Sequence, residues 1–142
     1  DGERCSRLME DTYKIEIVSP EKVIFSDDKV HEVVLPSYEG EMGILKDHIS
    51  IISFLRPGII KIFKSSENNI NSFFVHDGII EFYNNNLTIL SNQIINIKNL
   101  NKEKIEQLIT ETEKNLNDEK LNDDVRYLAN HKIDVLRSLN LN

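Results

Sequence analysis

Cysteine is almost missing from this chain: Cys5 stands alone among 142 residues. One thiol cannot close an internal disulfide or assemble a thiolate cluster, so a reducing compartment is expected. Basic charge is also scarce. The 17 Lys and Arg against 24 Asp and Glu leave a formal charge of −7, which repels phosphate backbones and anionic headgroups and makes nucleic acid a poor partner. Nothing in the chain approaches the roughly 18 consecutive apolar residues of a membrane-spanning helix, so no direct membrane insertion is expected. The first residues have neither the apolar centre of a secretion signal nor a transit-peptide pattern. Residues 1–10 are expected to be a leading tail, with Met9 as an alternative start.

Reactive constellations are missing as well. His31, His48, His76 and His131 are isolated, without the second His or Cys three to five positions away that a metal hairpin requires. No Ser sits in a G-x-S-x-G elbow. The Gly40-Glu41-Met42-Gly43 segment does not fit a phosphate-cradling loop, which needs main-chain donors at a helix start. Glu39 and Glu41 could work as an acid and base pair, but alternate residues around a turn are usually solvated. His76, beside Asp77-Gly78, is expected to order a hairpin turn. Asn86-Leu87-Thr88 fits a glycosylation sequon but reads better as the end of an Asn-rich hairpin turn. No catalytic residue, cofactor or metal is expected.

From Tyr13 to about Ile97 the apolar residues come in short runs separated by turn chemistry. Tyr13-Lys14-Ile15-Glu16-Ile17-Val18, Gly58-Ile59-Ile60-Lys61-Ile62-Phe63 and Leu87-Thr88-Ile89-Leu90 read as strands. Breaks are expected at Ser19-Pro20, Asp27-Asp28, Glu39-Gly40, Pro57-Gly58, Glu67-Asn68-Asn69, Asp77-Gly78 and Asn84-Asn85-Asn86. Seven to ten strands at this spacing, with no helix between them, favour an antiparallel β-sandwich or flattened barrel over about 11–99.

Beyond Asn101 Gly and Pro disappear and the periodicity changes. One helix has Asn101 as N-cap, Glu103 near its positive end, and Ile105, Leu108, Ile109, Thr112 and Leu116 along one side. A second starts near Asn122 or Asp123, with Val125, Leu128, Ala129, Leu136 and Leu139 as a stripe that Ile133 and Val135 widen. The short connector Asn117-Asp118-Glu119-Lys120-Leu121 makes the pair an antiparallel two-helix hairpin over 100–142. Such a pair cannot bury its stripes alone and must rest on the sandwich or on a partner. The fold class is therefore α+β, mainly β.

The run Leu35-Pro36-Ser37-Tyr38-Glu39-Gly40-Glu41-Met42-Gly43-Ile44-Leu45-Lys46-Asp47-His48 resembles the epsilon subunit of F-type ATP synthases, called delta in mitochondria, where it reads roughly E-G-E-x-G-x-x-x-x-H. The likeness continues through Leu55-Arg56-Pro57-Gly58-Ile59-Ile60-Lys61-Ile62 and Val75-His76-Asp77-Gly78-Ile79-Ile80-Glu81, and covers most of the chain from Tyr13 onward. The resemblance implies a non-catalytic central-stalk subunit of a proton-translocating complex. Its sandwich would brace the gamma subunit on the ring of c subunits, and its helices would either fold against the sandwich or extend into the alpha/beta catalytic head, where they restrain ATP hydrolysis. It further implies a partner-binding surface at Glu39, Glu41, Met42 and His48. The expected location is the inner (plasma) membrane, cytoplasmic side, peripheral, or the matrix side if organellar.

Two details bear on the helices. Some bacterial relatives bind ATP through an I-D-x-x-R-A motif. In the register set by Asp124-Val125-Arg126-Tyr127, this chain has Arg126 where the motif has Asp and Ala129 where it has Arg, so nucleotide binding is not expected. The charges Asp123, Asp124, Arg126, Lys132, Asp134 and Arg137 cancel, whereas gripping an acidic lever would favour an excess of Arg and Lys. The rival readings are a stand-alone interaction module that captures a peptide on its helical stripe, and an enzyme with a site built from scattered residues.

Overall fold

The computed structural model describes residues 11–64, 70–118 and 120–140. The expected tail at 1–10, Cys5 with it, the break at Glu67-Asn68-Asn69 and Glu119 of the helix connector lie outside these. Nine strands come first: β1 (Tyr13–Val18), β2 (Val23–Ser37), β3 (Gly40–Leu45), β4 (Ile51–Leu55), β5 (Gly58–Lys64), β6 (Ile70–Val75), β7 (Gly78–Tyr83), β8 (Asn86–Ser91) and β9 (Ile94–Asn96). A short 3-10 turn at Ile97–Asn99 leads into α1 (Lys102–Leu116) and α2 (Asp123–Asn140).

The strands form two layers that share β2. One layer has the order β1-β8-β7-β4, the other β3-β2-β5-β6-β9. The first half of β2 pairs with β1, its second half with β3 and β5, and Ser37 at its end meets Leu55 of β4. Among the described residues all pairings are antiparallel except β1 with β8, which is parallel from Lys14↔Asn86 to Val18↔Leu90. Hydrophobic alternation explains the layers. Tyr13, Ile15, Ile17, Val33, Leu35, Ile44, Ile60, Ile62, Ile80, Phe82, Leu87 and Ile89 point inward to one buried core, each such side chain contributing about 1.5–3 kcal/mol of burial.

Two expected breaks have other roles. At Asp27-Asp28 the chain does not turn. β2 runs on through a bulge, marked by register shifts opposite β1 and β5, with Asp27 Oδ1 accepting from Lys29 N at 2.8 Å. The extra backbone bends one long strand from layer to layer. At His76-Asp77 the expected hairpin turn is also absent, because β6 pairs with β5 and β9 while β7 pairs with β4 and β8. The chain crosses between layers there, and Gly78 is required because a Cβ would collide with the Leu90 carbonyl.

The helices cap as expected. Asn101 Oδ1 accepts from Lys104 N at 2.7 Å and Asn122 Oδ1 from Val125 N at 2.8 Å. Arg126 at the start of α2 reaches the Leu116 carbonyl at the end of α1, in the antiparallel sense. Ile105, Leu108 and Leu136 close over Phe74, flanked by Ile59, Ile95 and Leu139. The hairpin therefore rests on the outer face of the β5-β6-β9 side. The stripe is occupied by the protein's own sheet, which removes the surface that the peptide-capture reading needed. Val125 falls off the packed stripe and is 44% exposed.

Candidate interaction surfaces

Tyr38 and Glu39 form the turn that reverses β2 into β3, held by Ser37 Oγ donating to the Gly40 carbonyl at 2.7 Å. Gly40 takes φ +128, open to glycine at little cost. Strand alternation then sends Glu41, Gly43 and Leu45 outward and Met42 and Ile44 inward. Glu39 and Glu41 are exposed, while Met42 is half-buried against the main core. Among the described residues β3 pairs with β2 alone, so it is an edge strand there.

His48 lies beyond the other end of β3. Its Nδ1 donates to the Ile49 carbonyl at 2.8 Å and its ring stands edge-on to Phe82 at 5.9 Å. The loop is pinned by Asp47, whose N–H donates to Asn85 Oδ1 at 2.8 Å while Asn85 Nδ2 donates back to its carboxylate at 3.0 Å. Asp47, Asn84 and Asn85 all have positive φ, which Asn and Asp tolerate best after Gly. About 13 Å of extended strand separates Glu41 from Leu45. The fold thus brings Glu39 and Glu41 together and leaves His48 apart.

A larger surface went unread in the sequence. On the outer face of the β1-β8-β7-β4 layer, Ile52 (76% exposed), Phe54 (61%), Ile79, Tyr83 (66%) and Leu90 stand in water. Register joins three of them in a row, Phe54 opposite Ile79 and Ile79 opposite Leu90, while Ile52 stands opposite Glu81 and Tyr83 opposite Asn86. Tyr38 extends the row, its ring edge-on to Phe54 at 6.4 Å. Large rimmed apolar patches mark partner sites. The available signal was apolar residues at both parities in Ile51–Leu55 and Gly78–Tyr83, on strands with only one core-facing side.

Where hairpin meets sandwich, a polar junction forms. His76 Nε2 is 3.5 Å from Asp77 Oδ1, and its buried Nδ1 has no partner among the described residues. Burial, then the charge of Lys132 on α2, hold the imidazole below its ordinary pKa against the pull of Asp77. Lys132 is itself lowered by burial, opposed by Glu111 of α1 and by Asp77. Among the described residues, no group of three or more His, Cys, Asp or Glu could hold a metal ion, and no helix is long and apolar enough to cross a membrane.

Residues 12–97 match the family model for the ATP synthase delta/epsilon chain, beta-sandwich domain. The chain is 56% identical over 133 residues to the ATP synthase epsilon chain of Pelagibacter ubique, covering 93% of this chain and 100% of that one. It is 34% identical over 131 residues to the epsilon chain of Parvibaculum lavamentivorans, covering 92% and 97%. In shape it is similar to a chain of the Euglena gracilis mitochondrial ATP synthase, with TM-score 0.70 at 17% identity over 90% of this chain and 80% of that one. A two-layer β unit with a hairpin on one side, matched across its sandwich and 56% identical to an epsilon chain over nearly its whole length, belongs to the ATP synthase epsilon-chain family, the non-catalytic epsilon subunits of that complex.

Proposed function

We propose that the chain sits in the central stalk of a proton-translocating ATP synthase and holds the gamma subunit through the uncovered apolar face of its β1-β8-β7-β4 layer. The observation that supports this is the asymmetry of the two outer faces. The hairpin covers Phe74 on one, while Ile52, Phe54, Ile79, Tyr83 and Leu90 remain open on the other. An apolar row on a rigid sheet, rimmed by polar residues such as Glu81 and Thr88, suits a permanent subunit contact. Rotation passes through such a contact as torque and makes or breaks no bond on this chain.

The turn at Glu39 and the outward side of edge strand β3 at Glu41 face the c ring in this reading. Exposed carboxylates set register and steer docking against basic and amide groups of ring loops. One rim pair contributes only about 0–1 kcal/mol, so these residues work as a patch. Met42 supports it from the core side, and His48 marks its far end. The complex lies at the inner (plasma) membrane with this subunit on the cytoplasmic side, or on the matrix side in an organelle. Residues 11–99 form the docking unit, and 100–142 form a hairpin that restrains ATP hydrolysis when it leaves the sandwich for the catalytic head. Co-purification tests the first claim: Phe54→Asp should abolish capture of gamma while leaving the fold intact, and undiminished capture contradicts it.

A further inference from the structure

The layer crossing that replaces the expected turn at His76 places an ionisable ring two residues beyond Phe74, against which Leu136 of α2 packs. Its Nδ1 is buried without a partner among the described residues, and Asp77 is 3.5 Å from its Nε2. The half-buried Lys132 of α2 is within electrostatic reach of both His76 and Asp77. We propose that this junction makes the seat of the hairpin proton-sensitive: a neutral His76 lets α2 lie against the crossing, and an imidazolium beside Lys132 pushes it off.

The charges around His76 decide the sign. Asp77, on its own segment, favours an imidazolium; Lys132, from α2, opposes it. Burial lowers the Lys132 ammonium, and the charges of Glu111 on α1 and of Asp77 oppose that shift without reversing it. Tyr38, at the β2–β3 turn, lies in the field of Asp77 and of Asp124, with Tyr127 of α2 near it. Burial and Lys132 outweigh Asp77, so the seated state prefers the neutral ring. The seat is therefore complete above the ordinary histidine value of 6.5 and weakens as pH falls through it toward the lower value of the seated state. Each unit of difference between seated and released states multiplies the released-to-seated ratio by about ten once pH is below both.

Seating is read in the full chain by NMR, from contacts between the Phe74 ring and the Leu136 methyls, with the Tyr13–Phe82 ring pair at 5.5 Å as the reference for an intact sandwich. Between about pH 7.5 and 5.5, a range set by histidine titration, the released fraction should rise several-fold while the Tyr13–Phe82 contact holds. His76→Gln should flatten that response. Lys132→Met should shrink it, and serves as the test if His76→Gln does not fold. A response unchanged in either folded variant, or a hairpin equally seated at both ends of the range, overturns the proposal. The readout needs no other subunit, so its failure leaves the central-stalk reading standing.

Discussion

The Tyr13 hydroxyl donates to the Ile44 carbonyl at 2.6 Å inside the core, joining β1 to edge strand β3. Burial first, then the charge of Glu32, hold this phenol protonated far above its ordinary 10.0. A group raised in this way stabilises fully below its unfolded value and ceases to do so as pH climbs past it. Tyr13→Phe should cost about 1 kcal/mol near neutrality. The difference between the two proteins in chemical denaturation should shrink above pH about 10, where the unfolded phenol ionises.

Asp27 at the bulge has the opposite sign. Burial disfavours its charge, but the 2.6 Å contact to Lys64 and the Lys29 backbone N–H outweigh that, so its pKa falls below 3.8. Its contribution is present above 3.8 and lost as pH drops through the folded value. Asp27→Asn should destabilise by about 1 kcal/mol at neutral pH, and the gap from the unsubstituted protein should close in acid denaturation.

Leu136 is fully buried between hairpin and sheet. Leu136→Ala should weaken the seat by about 2–4 kcal/mol, and proteolysis at the 117–122 connector should accelerate while strand amides stay protected. If the released hairpin restrains the catalytic head, ATP hydrolysis by the assembled complex should fall in the same variant.

Much of this fold was legible because its strands alternate cleanly. Tyr13–Val18 buries every second residue, as does Gly58–Lys64 as far as Ile62, and the caps at Asn101 and Asn122 stand where side-chain oxygens precede apolar stripes. Two breaks were read as turns because Asp-Asp and Asp-Gly carry the same local chemistry in a bulge, a layer crossing or a hairpin. Only pairing distinguishes these, and pairing is long-range. The β1–β8 parallel pair was hidden for the same reason. At the candidate surfaces, Glu39 and Glu41 were recognisable as exposed carboxylates near a Gly turn. The inward aim of Met42 and the distance to His48 follow from where β3 starts and stops. The Phe54–Ile79–Leu90 row exists only once three strands from different parts of the chain are in register.

Glu41→Lys reverses charge on the outward side of β3 without touching the core. Surface changes of this kind alter stability by less than about 0.5 kcal/mol. Recovery of the subunit on membranes should nonetheless fall, and should become more sensitive to salt, because a patch of carboxylates steers the docking.

Co-expression with the gamma subunit tests the central claim most directly. A stable one-to-one complex that forms with the unsubstituted chain, survives Val125→Asp on the exposed side of α2, and is lost with Ile52→Asp or Phe54→Asp is the predicted result. A chain that stays monomeric beside gamma, or a complex indifferent to both strand substitutions, contradicts it.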